Sequence, residues 1–386
     1  MDRRQFLRIA GGGIVLAAGA GVAGCTSNPP DEAIVAWQGP RAETDVRRWV
    51  LGYAILAPHS HNLQSWLVDL SVPDEITLRC DLNRLLPETD PYSRQIMMSH
   101  GTFLELLDLA ARERGLRADI ALFPEGAFGP EKPDQRPVAR IRLTPDGAVK
   151  PDPLFAQILQ RHTNRQAYDA ARAVPDSAWQ AMAQAAQPHP LRFGYVGPEA
   201  PVVIARHRAI AAEAWRIELS TPRTVMESYR LLRIGNEEVA RHRDGITLLD
   251  PEVVWLNRMG MFDRSKAPAP DDLATTSQIE DFGRKLTSTQ GFLWLVSDGN
   301  TRETQISAGR AYVRVQLAAT AHGIAMQPLQ QALQEYPEVA QPYRGIHQLL
   351  QATQPAHTVQ MWARVGYAPA VSPAPRRGLD AQLVKL

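Results

Sequence analysis

The sequence predicts a chain of two related halves, each combining β-strands with a long helix. Two observations carry this. GTFLELLDLAARERGL, Gly101 to Leu116, and GRAYVRVQLAATAHGI, Gly309 to Ile324, share one pattern: glycine, seven residues, Leu-Ala-Ala, three residues, then glycine and an aliphatic residue. Apolar residues recur at helical spacing in both, and the closing Gly115 and Gly323 suit a left-handed C-terminal cap. The flanks agree too. EITLRCDL precedes the first helix and GFLWLVSD the second, while PVARIRL follows the first and HTVQMWARVGY the second, all with the alternation or β-rich run of strands. Related halves in one chain imitate a two-fold dimer, whose self-complementary interface can host a shared site. The halves are read as 35–150 and 151–386.

The elements follow in order. Arg3 and Arg4 open the chain, a glycine-rich apolar run follows, and Val22-Ala23-Gly24 leads to Cys25. The run is shorter than the ~20 apolar residues a bilayer span needs, and its charged head and small-residue end describe a secretory signal over 1–25. Asp2-Arg3-Arg4-Gln5-Phe6-Leu7 resembles a twin-arginine export signal. The Cys25 box resembles a lipoprotein processing site, with Cys25 the residue that receives lipid. About 360 residues remain, enough for one large or two ordinary domains. The net charge of +1 implies no general attraction to nucleic acid. With Cys25 lipidated, Cys80 is left alone in a strand-like run, reads as a buried thiol, and permits neither an internal disulfide nor a zinc site.

ILAPHSHNLQSW, Ile55 to Trp66, places a polar cluster after Pro58. Asn62 and Gln64 each offer a donor and an acceptor, and Ser60 adds a hydroxyl. His59 and His61, with no carboxylate nearby, make a poor metal site and are instead free to face a substrate. LQRHTNRQAY, Leu159 to Tyr168, sets Arg161 and Arg165 four apart with Thr163 between. On one turn they would converge on an anion; otherwise they are a solvated basic face. An insertion is read at about 220–290, either a lid over a shared site or a surface excursion. Near the C-terminus, Arg376 and Arg377 stand side by side and, taken alone, read as a basic tail. No Gly-x-Ser-x-Gly elbow is present, which argues against a serine hydrolase.

APHSHNLQSW is similar to the Pro-Ser-x-x-Asn-x-Gln-Pro-Trp segment of the nitroreductase superfamily of FMN proteins, with Ser65 where proline is usual. RHTNRQAY resembles that family's Arg-x-Ser/Thr-x-Arg segment. FPEG, Phe123 to Gly126, resembles its Pro-x-x-Gly loop, which offers backbone groups to the flavin through Pro124 and Gly126. The resemblance implies an α+β fold of nitroreductase type. Each half would hold a central mixed or antiparallel sheet flanked by helices, and the halves would pack as an intrachain pseudo-dimer. It implies FMN held by Pro58, Ser60, Asn62, Gln64, Arg161, Thr163, Arg165, Pro124, Gly126, Arg376 and Arg377. The second half lacks an asparagine segment, so one FMN per chain is expected, as in the single-chain, lid-covered Acg-like branch.

The implied activity is electron transfer through flavin N5 to a small organic acceptor, with no protein catalytic residue and no metal. The other reading is a flavin-sequestering protein with a lid over the FMN. The signal implies twin-arginine export, a lipid anchor as the membrane contact, and a periplasmic location. NAD(P)H is scarce there, so a quinol or a partner protein is the expected donor. A monomer is expected.

Overall fold

The computed structural model describes residues 28–385, so Arg3, Arg4 and Cys25 lie outside the described residues. The first half runs α1 (Asp31–Ile34), α2 (Val46–Ala54), β1 (Trp66–Asp69), β2 (Glu75–Cys80), α3 (Arg94–Glu113), β3 (Leu116–Leu122) and β4 (Ala139–Pro145). The second begins with α4 (Asp176–Ala186) and β5 (Leu191–Val196). An excursion follows: α5 (Pro201–Ser220), α6 (Pro222–Arg230), β6 (Leu232–Ile234), α7 (Gly235–His242), β7 (Ile246–Leu248), α8 (Pro251–Arg258) and α9 (Leu273–Thr287). The half resumes with β8 (Gly291–Asp298), α10 (Arg302–Ala321), β9 (Ala325–Pro328), α11 (Ala340–Leu349) and β10 (His357–Gly366), and the chain closes with β11 (Leu383–Val384).

The fold is α+β, built of two related halves packed as an intrachain pseudo-dimer. One sheet has the order β11-β1-β2-β4-β3 and the other β5-β8-β10-β9. Setting β1 against β5, β2 against β8, β3 against β9 and β4 against β10 makes the two orders identical, and all these pairings are antiparallel. In each half a helix before the first strand packs on the long helix, α2 on α3 and α4 on α10.

α3 and α10 begin at Arg94 and Arg302, seven residues before the glycines of the sequence pattern, so Gly101 and Gly309 fall at mid-helix. There the two helices cross backbone to backbone. A Cβ on Gly101 would collide with the Ile306 carbonyl, and one on Gly309 with the Met98 carbonyl. The same spacing of 208 residues relates Gly101 to Gly309 and Met98 to Ile306, so the crossing obeys the repeat. Gly115 and Gly323 end the helices with φ of 66° and 65°, the left-handed cap that glycine adopts without a Cβ penalty.

The tail departs from a simple division near residue 150. After β10 it leaves the second half, and β11 pairs in parallel with β1 at the edge of the first sheet. The excursion fills 197–290, so it starts at α5 rather than at 220. It has its own apolar core around Leu219, Tyr229, Leu248 and Phe262. Cys80 is a buried free thiol in β2, with burial raising its pKa first and the Asp81 charge adding to it.

Candidate functional site

α2 is capped at its start by the Asp45 side chain, which accepts from Arg47 N (2.8 Å), and stops at Ala54. The carbonyls just beyond this end receive two buried guanidiniums. Arg376 donates to Ile55 O (3.0 Å), Leu56 O (3.1 Å) and Ala57 O (3.1 Å). Arg161 donates to Leu56 O (2.9 Å) and to Gln316 Oε1 on α10 (3.1 Å). The negative end of a helix attracts such cations. Both also lie over the Trp37 ring, at 5.6 Å for Arg161 and 5.2 Å for Arg376.

Helix end and ring do not neutralise two charges. Arg161 and Arg376 are 2% and 3% exposed. Among the described residues no carboxylate pairs with either. Burial pulls their pKa values down, to about 10 for Arg161 and about 9 for Arg376, and the neighbouring Arg161 charge depresses Arg376 further. Arg376 has all five N–H groups engaged, the others going to Asn62 Oδ1 (2.7 Å) and Pro375 O (2.9 Å). Arg161 does not: its Nε is buried without a partner, as are Gln316 Nε2, His162 Nδ1 and the Tyr312 hydroxyl around it. Buried donors left unpaired cost about 1–3 kcal/mol each. Cations without a carboxylate, beside orphaned donors, are groups that an anion would satisfy.

Arg165 is solvent-exposed, yet the surrounding protein desolvates it and lowers its pKa, while Tyr312 and Tyr168 oppose the shift. His61 is near enough to feel this charge: its pKa is lowered to about 4 by burial and then by the Arg165 charge. The ring is therefore neutral near pH 7. Thr163 stands between the two arginines, half-exposed. The segment is not helical: Arg161 is extended, with φ −73° and ψ 118°, and no helix is formed over 161–165. Asn164, between them, is buried and fastened by its backbone N to Met326 O (3.1 Å) and its side chain to Pro369 O (2.8 Å).

The 58–66 segment holds three side-chain-bearing residues in the left-handed region: His61 (φ 49°), Asn62 (φ 53°) and Gln64 (φ 55°). Such conformations cost about 1–3 kcal/mol each and persist where surrounding contacts enforce them. Here the contacts come from the tail and the excursion. Asn62 Nδ2 donates to Pro375 O (3.1 Å), and Gln64 Oε1 accepts from Arg377 N (3.0 Å). Gln64 Nε2 donates to Arg243 O (2.9 Å), Gly245 N to Asn62 O (3.2 Å), and His61 Nε2 lies 3.3 Å from Ser228 Oγ. The excursion is thus seated on this segment.

The amides of Asn62 and Gln64 thus clasp the tail and the excursion to this segment. His59 has both ring nitrogens engaged, with Ser60 O (2.8 Å) and Ser65 N (3.1 Å). Ser60 turns toward α3, its N bonded to Ser99 Oγ (3.2 Å). Pro58 is fixed by Thr102 Oγ1 on its carbonyl (2.8 Å). Arg377 leans on Gln64 O (2.8 Å), with burial lowering its pKa to about 10.

Pro124 and Gly126 lie apart from this group. They follow β3, an edge strand, and Arg136 fastens the loop through Gly126 O (3.2 Å). The topological counterpart in the second half is the turn after β9, Pro328 to Gln331, which adjoins the Arg161–Arg165 segment through the Asn164–Met326 bond. The repeat could have pointed there, because MQPLQQ also places a proline at the strand's end. Trp37, Tyr312 and Gln316 carried no comparable signal.

Behind that turn, Glu218 of α5 is buried and accepts from Gln334 Nε2 (2.9 Å). Burial raises its pKa to about 7; the Gln334 bond opposes this and the Glu227 charge adds to it. Between the ordinary carboxyl value of 4.5 and about 7 the native state holds the extra proton. Stability is therefore full below pH 4.5 and is lost as pH rises through about 7. Glu218→Gln keeps the acceptor and offers an N–H to Gln334 Oε1, which lacks a partner. It should raise stability by ~1–3 kcal/mol at pH 8 and leave it unchanged at pH 4, as read from urea unfolding.

The mirror position is built differently. The 208-residue spacing sets Asp108 against Gln316 and Glu105 against Val313. Arg314 there reaches the end of α4 at Ala185 O (3.0 Å), but it is paired with Glu105 (2.8 Å) and Asp152 (2.7 Å). Arg310 bonds Glu105 (2.6 Å) and Asp108 (3.1 Å). Burial works against the Glu105 charge, but His189, Arg310 and Arg314 hold its pKa far below the usual range. The mirror position is self-neutralised, and the link 187–190 replaces the asparagine segment.

No family profile matches the chain. A Mycobacterium tuberculosis H37Rv protein under the provisional name NAD(P)H nitroreductase is 27% identical over 361 residues, covering 88% of this chain and 91% of that one. An uncharacterised protein of the same strain is 34% identical over 122 residues, 30% of this chain and 34% of its own. Among solved structures, the FMN-dependent nitroreductase of Mycobacterium smegmatis in complex with NADPH is 20% identical, with a TM-score of 0.34 over 58% of this chain and 94% of that one. A Bacteroides fragilis nitroreductase with bound FMN is 12% identical, with a TM-score of 0.33 over 59% and 96%. Along 88% of its length, this chain is similar to a relative provisionally named a nitroreductase.

Proposed function

We propose that this protein is an FMN-dependent oxidoreductase of nitroreductase type. The observation that carries the proposal is the buried pair Arg161 and Arg376, without a carboxylate and beside the orphaned Arg161 Nε. The phosphate of FMN supplies the missing charge. Arg161, Thr163 and Arg165 would hold it directly, with Arg376 and Arg377 contributing positive potential. Ser60, His61 and the backbone of 58–62 would line the ring. Bound FMN supplies the redox chemistry, taking electrons from a donor and passing them to a small organic acceptor. The chain's own groups bind, orient and exclude water. His61, neutral near pH 7, adds no charge to the site, its ring nitrogens lying 3.3 Å from Ser60 Oγ and 3.3 Å from Ser228 Oγ. No residue is assigned a proton-transfer role.

One FMN per chain follows from the mirror position, where Glu105 and Asp108 already neutralise Arg310 and Arg314 and would repel a phosphate. A second reading, a flavin-sequestering protein with little turnover, is favoured by the excursion's bonds to His61, Asn62 and Gln64. Anaerobic NADPH, a quinol analogue and dithionite separate the two readings on the yellow protein. Bleaching by NADPH or quinol supports the oxidoreductase, and bleaching by dithionite alone supports sequestration.

The N-terminal sequence supports twin-arginine export, lipidation of Cys25 and a periplasmic location. A quinol or a partner protein is then the proposed donor, and folding before export lets the chain collect FMN in the cytoplasm. The mass of the N-terminal peptide from the membrane fraction tests this: a processed, acylated Cys25 is expected, and an intact signal argues against it.

A further inference from the structure

We propose that the tip of the excursion, Trp255, Met259 and Met261, docks on the bilayer surface that carries the lipid of Cys25. This rests on the reading of Cys25 as the anchor. Among the described residues these three are 48%, 60% and 48% exposed and lie within seven positions of one another. The other seven tryptophans are buried or half-buried. The tip is not loose, because Val253, Leu256 and Phe262, beside and among these residues, are buried in the excursion's core. An outward apolar patch on a rigid support marks an interaction surface, and tryptophan with flexible apolar side chains suits the membrane–water interface.

The occupant follows from where the described chain begins. Asn28 is three positions after Cys25, a reach of at most about 10 Å. The chain start is not remote from the tip: α1 packs on α7, and α7 and α8 both pack on β6. Pro30 and Glu32 share one groove with Asn236, Glu237 and Arg241 of α7, and Val254 of α8 contacts the start of α7 at Gly235. A lipid on Cys25 therefore brings the bilayer to the excursion's own side. Among the described residues no helix is long and apolar enough to cross a membrane, so the contact is interfacial.

The test uses the full lipidated chain in vesicles of phosphatidylethanolamine and phosphatidylglycerol carrying brominated acyl chains. Tryptophan fluorescence should be quenched, and Trp255→Phe should abolish most of the quenching while the protein still floats with the vesicles. A chain that floats, carries acylated Cys25 and shows no quenching overturns the docking and leaves the anchor standing. Failure to float, with Cys25 unmodified, overturns both. A concentration-dependent dimer broken by Met259→Ser, without quenching, assigns the patch to a second copy and also overturns the proposal.

Discussion

Gly309→Ala should lower the melting temperature by on the order of 10 °C, and Gly101→Ala should do much the same. The reason is the crossing of α3 and α10, where each new Cβ would collide with a helix carbonyl, that of Met98 for Gly309 and of Ile306 for Gly101. A side chain in the way could rotate aside, but a helical carbonyl is held by its own hydrogen bonds. The helices must part, opening the packing of Ala308, Ala311 and Val313 with their neighbours. Overpacking costs ~1–3 kcal/mol and more where backbone must move. In a large domain each kcal/mol is ~2–4 °C. Gly283→Ala in α9, with nothing within 4 Å of its added Cβ, is the control and should be neutral or slightly stabilising. Thermal melts of the three variants check this. Equal melting temperatures would mean the helices do not cross as described.

Arg161→Ala combined with Arg165→Ala should abolish flavin binding without unfolding the chain. Each guanidinium bonded to a phosphate contributes ~1.5–3 kcal/mol, so the pair should weaken FMN at least ~100-fold. The flavin-free variant should melt within a few degrees of the flavin-free parent, because a buried charge without a partner gives its fold little stability. Fluorescence titration of FMN and a thermal melt give both readings. Retained tight flavin would place the phosphate elsewhere. Loss of flavin with loss of fold would make Arg161 a structural residue.

The two halves were legible because their helices repeat glycine and Leu-Ala-Ala at positions that packing demands, and the crossing obeys the same spacing. The charges of the arginine segment were legible, but its shape was not. Its extended form is set by the bond of Asn164 to β9, far along the chain. The roles of Asn62 and Gln64 were hidden for the same reason: their partners are Pro375, Arg377 and Arg243, which no local pattern connects. The duplicated fold makes two such turns, one after β3 at FPEG and one after β9, and the second adjoins the arginine segment through the Asn164–Met326 bond. The excursion's start was missed because Pro201 sits at the first turn of α5, where proline begins a helix rather than breaking it.

A single flavin, its phosphate at the cluster of Arg161, Arg165 and Arg376, fixes the stoichiometry of the yellow protein. The ratio of flavin to protein in the purified full chain, after saturation with FMN, is read by absorbance and released-flavin identification. One FMN per chain is expected. A ratio of two, or no flavin retained at all, contradicts it.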